Sequence, residues 1–208
     1  MKNSLITTAI LLALSSTAIY CQHFIGLSAF GNLPVGVLKD FYKPALGLEA
    51  SYHSSDYYGK WLSEYSIGYT RFSPKDSVFA LKLFNGKTDV TLTDFWMATL
   101  TIGAKRTFKD VEKMTPFIGI SASVYYSAVE AHLKGPSIDS ETSGGSGKFG
   151  LAPSVGLIFQ VAGDFYFKAE GRFNFTISPF EDLNMIQGYN LGFIDNYVSL
   201  GGGVFYKF

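Results

Sequence analysis

Residues 165–178 read FYFKAEGRFNFTIS. Phe165, Phe167, Ala169, Gly171, Phe173, Phe175 and Ile177 alternate with Tyr166, Lys168, Glu170, Arg172, Asn174 and Thr176. A helix would scatter both sets around its circumference, whereas a strand turns them to opposite sides. Strict period-two alternation therefore predicts a strand with one apolar face and one charged face.

The same period recurs along the chain. FWMATLTIGAKRTF (95–108), WLSEYSIGYTRF (61–72) and ALGLEASYH (45–53) each set an apolar face against one of Gly, Ser, Thr and a few charges. Segments 23–30, 115–133, 148–161 and about 195–208 follow it less strictly. The expectation is an all-β, up-and-down antiparallel barrel of eight strands. Residues 79–95 carry an Asn-Gly turn between two strand-like runs. They read as a hairpin beyond the barrel, or as two further spanning strands that would make ten. Short connections at about 54–59, 109–114 and 162–164 alternate with long ones at 32–43, 73–91, 134–147 and 178–194. SETSGGSGK (140–148) reads as a flexible loop. Pro153 donates no ladder hydrogen bond, so it is expected above the membrane or at a bulge near the outer rim.

Composition sets the solvent. Hydrophobic residues make up 47% of the 208 residues, aromatics 16% and charged residues 16%, with a formal net charge of zero. Ordinary soluble domains carry about 25% charged residues. No basic surface points to nucleic acid, and residues 22–208 contain no apolar run long enough for a transmembrane helix. MKNSLITTAILLALSSTAIYCQ has Lys2, an apolar stretch from Ile6 to Leu14, and then small residues. That layout predicts a signal peptide over 1–21, cleaved after Ala18 or Cys21, with the barrel domain over 22–208. Cys21 is the only cysteine, so no disulfide framework is expected.

A soluble barrel also alternates, with its apolar face inward. Here the polar faces are mostly small residues, too lightly charged for a soluble exterior. Aromatics gather at the inferred strand ends, where amphipathic rings suit lipid headgroups. Tyr52, Trp61, Phe108, Phe165, Tyr206 and Phe208 mark one rim. Tyr69, Phe72, Trp96, Tyr126 and Phe175 mark the other. The apolar faces are thus expected to meet lipid. Arg106 falls on that face near the periplasmic rim, where a charge costs only about 0–1 kcal/mol.

YVSLGGGVFYKF (197–208) resembles the C-terminal assembly signal of Gram-negative outer-membrane β-barrel proteins. Leu200, Val204, Tyr206 and Phe208 match its alternate apolar positions and terminal aromatic; Gly202 departs from it. The layout is similar to the small eight-stranded barrels of the outer-membrane protein A transmembrane type. The resemblance implies export to the outer membrane, contact with its lipid, and recognition by the barrel-assembly machinery. It implies little about activity.

Eight strands leave an interior that side chains can fill. Glu49, Glu64, Lys105, Lys168, Glu170, Arg172 and Lys207 fall on the enclosed faces, and buried charges require partners. They are expected to form a charge network that plugs the lumen; a narrow gated path through the same residues is the alternative. No catalytic, cofactor or metal site is expected. His53 and Ser55 share a face but fall at the periplasmic end. His132, with Ser137 and Asp139 after it, lies near an outer strand end. Three scattered histidines lack metal-ligand spacing.

Among the loops, 178–194 is apolar for an exposed segment: Phe180, Leu183, Met185, Ile186, Leu191 and Phe193. It is expected to cap the barrel mouth or to recruit a protein partner. The functional expectation is a closed, non-enzymatic barrel with a structural or surface-interaction role. The alternatives are an accessory part of a secretion or adhesion machine, a small channel, and a lipid A-modifying enzyme.

Overall fold

The computed structural model describes residues 22–36, 38–56, 60–75, 78–83, 86–108, 114–135, 138–177 and 196–208. The signal-peptide expectation for 1–21 and the apolar loop 178–194 lie outside them. Ten strands are present: β1 (His23–Val35), β2 (Ala45–Ser55), β3 (Trp61–Phe72), β4 (Val78–Leu83), β5 (Gly86–Leu92), β6 (Phe95–Thr107), β7 (Thr115–Gly135), β8 (Ile138–Ala162), β9 (Phe165–Ile177) and β10 (Asn196–Lys207). One helical turn, α1 (Leu38–Phe41), lies between β1 and β2.

Eight of these strands close on themselves. The antiparallel ring runs β1–β2–β3–β6–β7–β8–β9–β10 and returns to β1. The seam is continuous, from Phe24 opposite Lys207 to Val35 opposite Asn196. Closure leaves no strand edge for hydrocarbon to meet. β4 and β5 do not enter the ring. They form a hairpin whose β5 pairs with the upper part of β7, from Asp89 opposite Lys134 to Leu92 opposite Ala131. The chain is thus an eight-stranded barrel, and the ten-stranded alternative falls.

Alternation decides which side of the wall each residue takes. Ile25, Leu27, Leu46, Leu48, Ile67, Leu100, Ile102, Ile120, Val155 and Leu200 all face outward and exposed. Ser28, Glu49, Ser51, Glu64, Lys105, Lys168, Glu170, Arg172 and Asn174 are buried inside. This is the inverse of a soluble barrel. The aromatics of each rim touch one another: Tyr69–Trp96 and Trp96–Tyr126 at the upper rim, with centroids 6.5 and 5.5 Å apart, and Phe165–Tyr206 at the lower, 5.2 Å apart. At the lower rim Arg106 stacks over Trp61 at 5.7 Å.

Three local expectations are corrected. Residues 140–148 are not a loop: they belong to β8, paired with β7 up to Gly135 opposite Ile138. β7 alone supplies the ladder there, so a Ser/Gly-rich stretch is held extended without a hydrophobic face. β1 runs on to Val35. Pro153 stands within the wall, opposite Ile120 of β7. Its missing N–H is accommodated where the β8–β9 pairing lapses, between Leu151–Phe175 and Ser154–Arg172. The bulge of β8 is elsewhere, at Gln160/Ala162, next to the tight turn through Gly163, whose φ of 51° suits glycine.

Candidate functional site: a sealed, charged lumen

The barrel interior is layered. Its middle holds three carboxylates and three cations, drawn from β2, β3, β6 and β9. Arg172 grips Glu49 in a bidentate pair, Nη1 to Oε2 at 2.7 Å and Nη2 to Oε1 at 3.1 Å. Its Nη2 also donates to Glu170 at 3.0 Å. Lys105 Nζ bridges Glu64 at 2.8 Å and Glu170 at 3.0 Å. Lys168 Nζ bridges Glu170 at 2.8 Å and Glu64 at 3.4 Å. Glu170 therefore meets all three cations. The six formal charges cancel, which is the condition for burying them together.

The sequence makes room for these long side chains with glycine. Across the ladders, Glu170 lies opposite Gly201 and Gly156, Lys168 opposite Gly203, Glu64 opposite Gly103, and Lys105 opposite Gly119. At Gly119 a Cβ would come within 2.8 Å of Lys105 Cγ and of Ser154 Oγ. The cations also rest on ring faces: Lys105 over Phe117 at 5.2 Å, Lys168 over Phe205 at 5.0 Å, and Arg172 over Phe30 at 4.7 Å.

Above this layer lies a polar belt. Asn32 donates to Thr70 at 3.0 Å, Ser199 donates to Asn32 at 2.6 Å, and Asn174 donates to Ser199 at 2.8 Å. Thr101 and Ser123 bond across β6 and β7 at 2.9 Å. A cavity of about 40 Å³ sits among Asn32, Thr70, Thr101, Tyr125, Asn174 and Arg172. Apolar side chains then stop the lumen at both ends. The upper stopper buries Leu38 and Tyr42 of the first loop against Phe72, Phe95, Met97, Tyr125 and Tyr197. Backbone bonds Lys43 N to Ser73 O (2.9 Å) and Lys75 N to Phe41 O (2.8 Å) fasten that loop to the chain after β3. The lower stopper is Phe24, Leu62, Phe117, Ile158, Tyr166 and Phe205.

Six of the seven residues read as lumen charges are thus brought together. Lys207 is not: it is half-buried at the lower end and makes no ion pair with a described residue. His53 belongs beside the cluster instead, with Nε2 3.2 Å from Ser51 Oγ and 3.8 Å from Glu64 Oε1. Its parity with Glu49 and Ser51 was the available signal. His53 and Ser55 do not meet: the Ser55 hydroxyl donates to the Asp56 carbonyl at 3.2 Å. Both are buried within the lumen. His132 lies opposite Glu141 and Thr91, while Asp139 lies opposite Lys134; Ser137 is outside the described residues. Among the described residues no group of three His, Cys, Asp or Glu could hold a metal. Leu200, Val204, Tyr206 and Phe208 of the assembly signal all project outward.

A closed eight-stranded ring, apolar outside and charged within, is the architecture of small outer-membrane barrels. Neisserial surface protein A superposes with a TM-score of 0.55 at 16% identity, over 89% of this chain and 97% of its own. A major outer membrane protein from Thermus thermophilus superposes with a TM-score of 0.57 at 10% identity, over 90% and 99%. At these identities the likeness is one of fold. No protein-family model matches the chain, and no curated protein matches its sequence.

Proposed function

We propose that this chain is an exported outer-membrane barrel that conducts nothing and catalyses nothing, and acts through its extracellular surface. One observation carries the reading: the lumen is blocked at three successive levels, by Leu38 and Tyr42, by the neutral charge layer, and by Phe117 and Phe205. A channel would need all three to yield. An enzyme would need a reactive side chain open to substrate, and His53 and Ser55 lie behind the stoppers. In this reading residues 1–21 are removed on export. The outward Leu200, Val204, Tyr206 and Phe208 serve recognition by the barrel-assembly machinery, and outer-membrane lipid is the constant partner.

What remains available to a partner is the upper end. There β7 and β8 rise past the rim and, with β4 and β5, form a four-stranded sheet outside the ring. That sheet supports a surface-interaction role, alone or as an accessory of a secretion or adhesion machine, with 178–194 as a further contact. Planar-bilayer recording on the refolded full chain is expected to give a flat baseline; discrete conductance steps would overturn the closed-lumen reading. Pull-down from outer membranes tests the partner: deleting 78–92 should release it without unfolding the barrel.

A further inference from the structure

The upper rim carries a charge pattern that the sealed lumen does not use. β3 and the residues after it turn Ile67, Tyr69, Arg71, Ser73 and Lys75 to the outer side of the wall. The first loop joins it there through the Tyr42–Pro74 bridge, and Lys43 hydrogen-bonds to Ser73. Tyr42 is buried inward by this bridge, which turns its neighbour Lys43 to the outer side as well. Arg71 Nε donates to Asp94 at 2.7 Å and stays exposed. Lys43 and Lys75 are exposed and make no ion pair with a described residue. Along the strand, Arg71 stands about 7 Å, Lys43 about 13 Å and Lys75 about 20 Å above Tyr69.

Directly beneath lies the aromatic trio Tyr69–Trp96–Tyr126, followed by exposed Leu46, Leu48 and Ile67. The order from bottom to top is aliphatic, aromatic, cationic, which is the order of an anionic amphiphile turned upside down. Two strands and a bonded loop fix the cations, so little ordering entropy is lost on binding. We propose that this face binds a phosphorylated lipid of the outer leaflet, with acyl chain on Leu46 and Leu48, sugar or glycerol level against Trp96, and phosphate between Lys43, Lys75 and Arg71. Lysine and arginine near a membrane surface each favour anionic headgroups about fivefold, so Lys43 and Lys75 together are worth about 30-fold. The inference rests on the outer-membrane reading above.

Trp61 and Trp96 are the two tryptophans of the chain, so Trp61→Phe leaves Trp96 as a reporter beside the site. The full chain carrying that change is placed in phosphatidylcholine nanodiscs with a brominated guest glycolipid bearing two phosphates or none. The phosphorylated guest should quench Trp96 at about 30-fold lower mole fraction. Lys43→Gln with Lys75→Gln should erase the difference, and Lys60→Gln with Arg106→Gln at the other rim should leave it. Equal quenching by both guests, or an unchanged difference in the lysine double variant, overturns the proposal. So does displacement of the guest by inorganic phosphate, which would mark a free-anion site. Should the double variant not fold, salt on the parent serves: about 1 M must collapse the difference, because screening then acts within about 3 Å. If neither guest quenches at any fraction, Trp96 is not in lipid, and the membrane reading itself has failed.

Discussion

The two ends of the lumen are stopped by different means. At the lower end Phe24, Leu62, Phe117, Ile158, Tyr166 and Phe205 all belong to barrel strands. At the upper end Leu38 and Tyr42 come from a loop and lean on strand residues Phe72, Phe95, Met97, Tyr125 and Tyr197. A stopper built from the wall can be removed only by damaging the wall. One supplied by a loop can be withdrawn while every ladder stays intact. The charge layer between them answers to neither, because its partners are fixed by the register of the strands that carry them.

This contrast can be broken at graded cost. Glu170→Ala should be the most damaging change, because it strands Lys105, Lys168 and Arg172 together; about 3–5 kcal/mol of stability should be lost in denaturant unfolding. Glu170→Gln should lose less, since the amide keeps an acceptor. Next comes Phe117→Ala in the lower stopper, at about 3–4 kcal/mol, because the surrounding wall cannot collapse into the space. Tyr42→Ala in the upper stopper should cost about 2 kcal/mol or less, since the loop can move away. It should also raise proteolysis near 36–44 without changing the heat-modified gel mobility of the barrel. Smallest is Arg106→Gln on the outer face near the rim, at about 0–1 kcal/mol. If Phe117→Ala and Tyr42→Ala proved equally costly, the distinction between wall-built and loop-built closure would fail.

Strand number, wall orientation and the charged face were legible because alternation is a purely local signal. Lys168, Glu170 and Arg172 reveal their side by their neighbours alone. The partnerships among the charges were not legible, because they depend on ladder register between strands distant in sequence: Arg172 to Glu49 spans 123 residues. Lys207 shows the limit, since it has the right parity but sits too near the lower end to reach a carboxylate. The upper stopper was missed for another reason. Leu38 and Tyr42 lie in and just after a short turn of helix, where period two gives no guidance, and capping was expected from 178–194. The extended upper part of β8 was also hidden: its Ser and Gly residues carry the composition of a loop and are held straight by β7.

The seam between β1 and β10 has a temporal consequence. Every other junction in the ring joins strands close in sequence, but this one joins the first strand to the last. Until residue 196 onward is available, β1 and β9 each present a row of unsatisfied amides that oil would punish heavily. A partly inserted ring is therefore an energetic dead end. Translocation has to be complete, and the nascent sheet shielded, before the final ribbon snaps the cylinder shut.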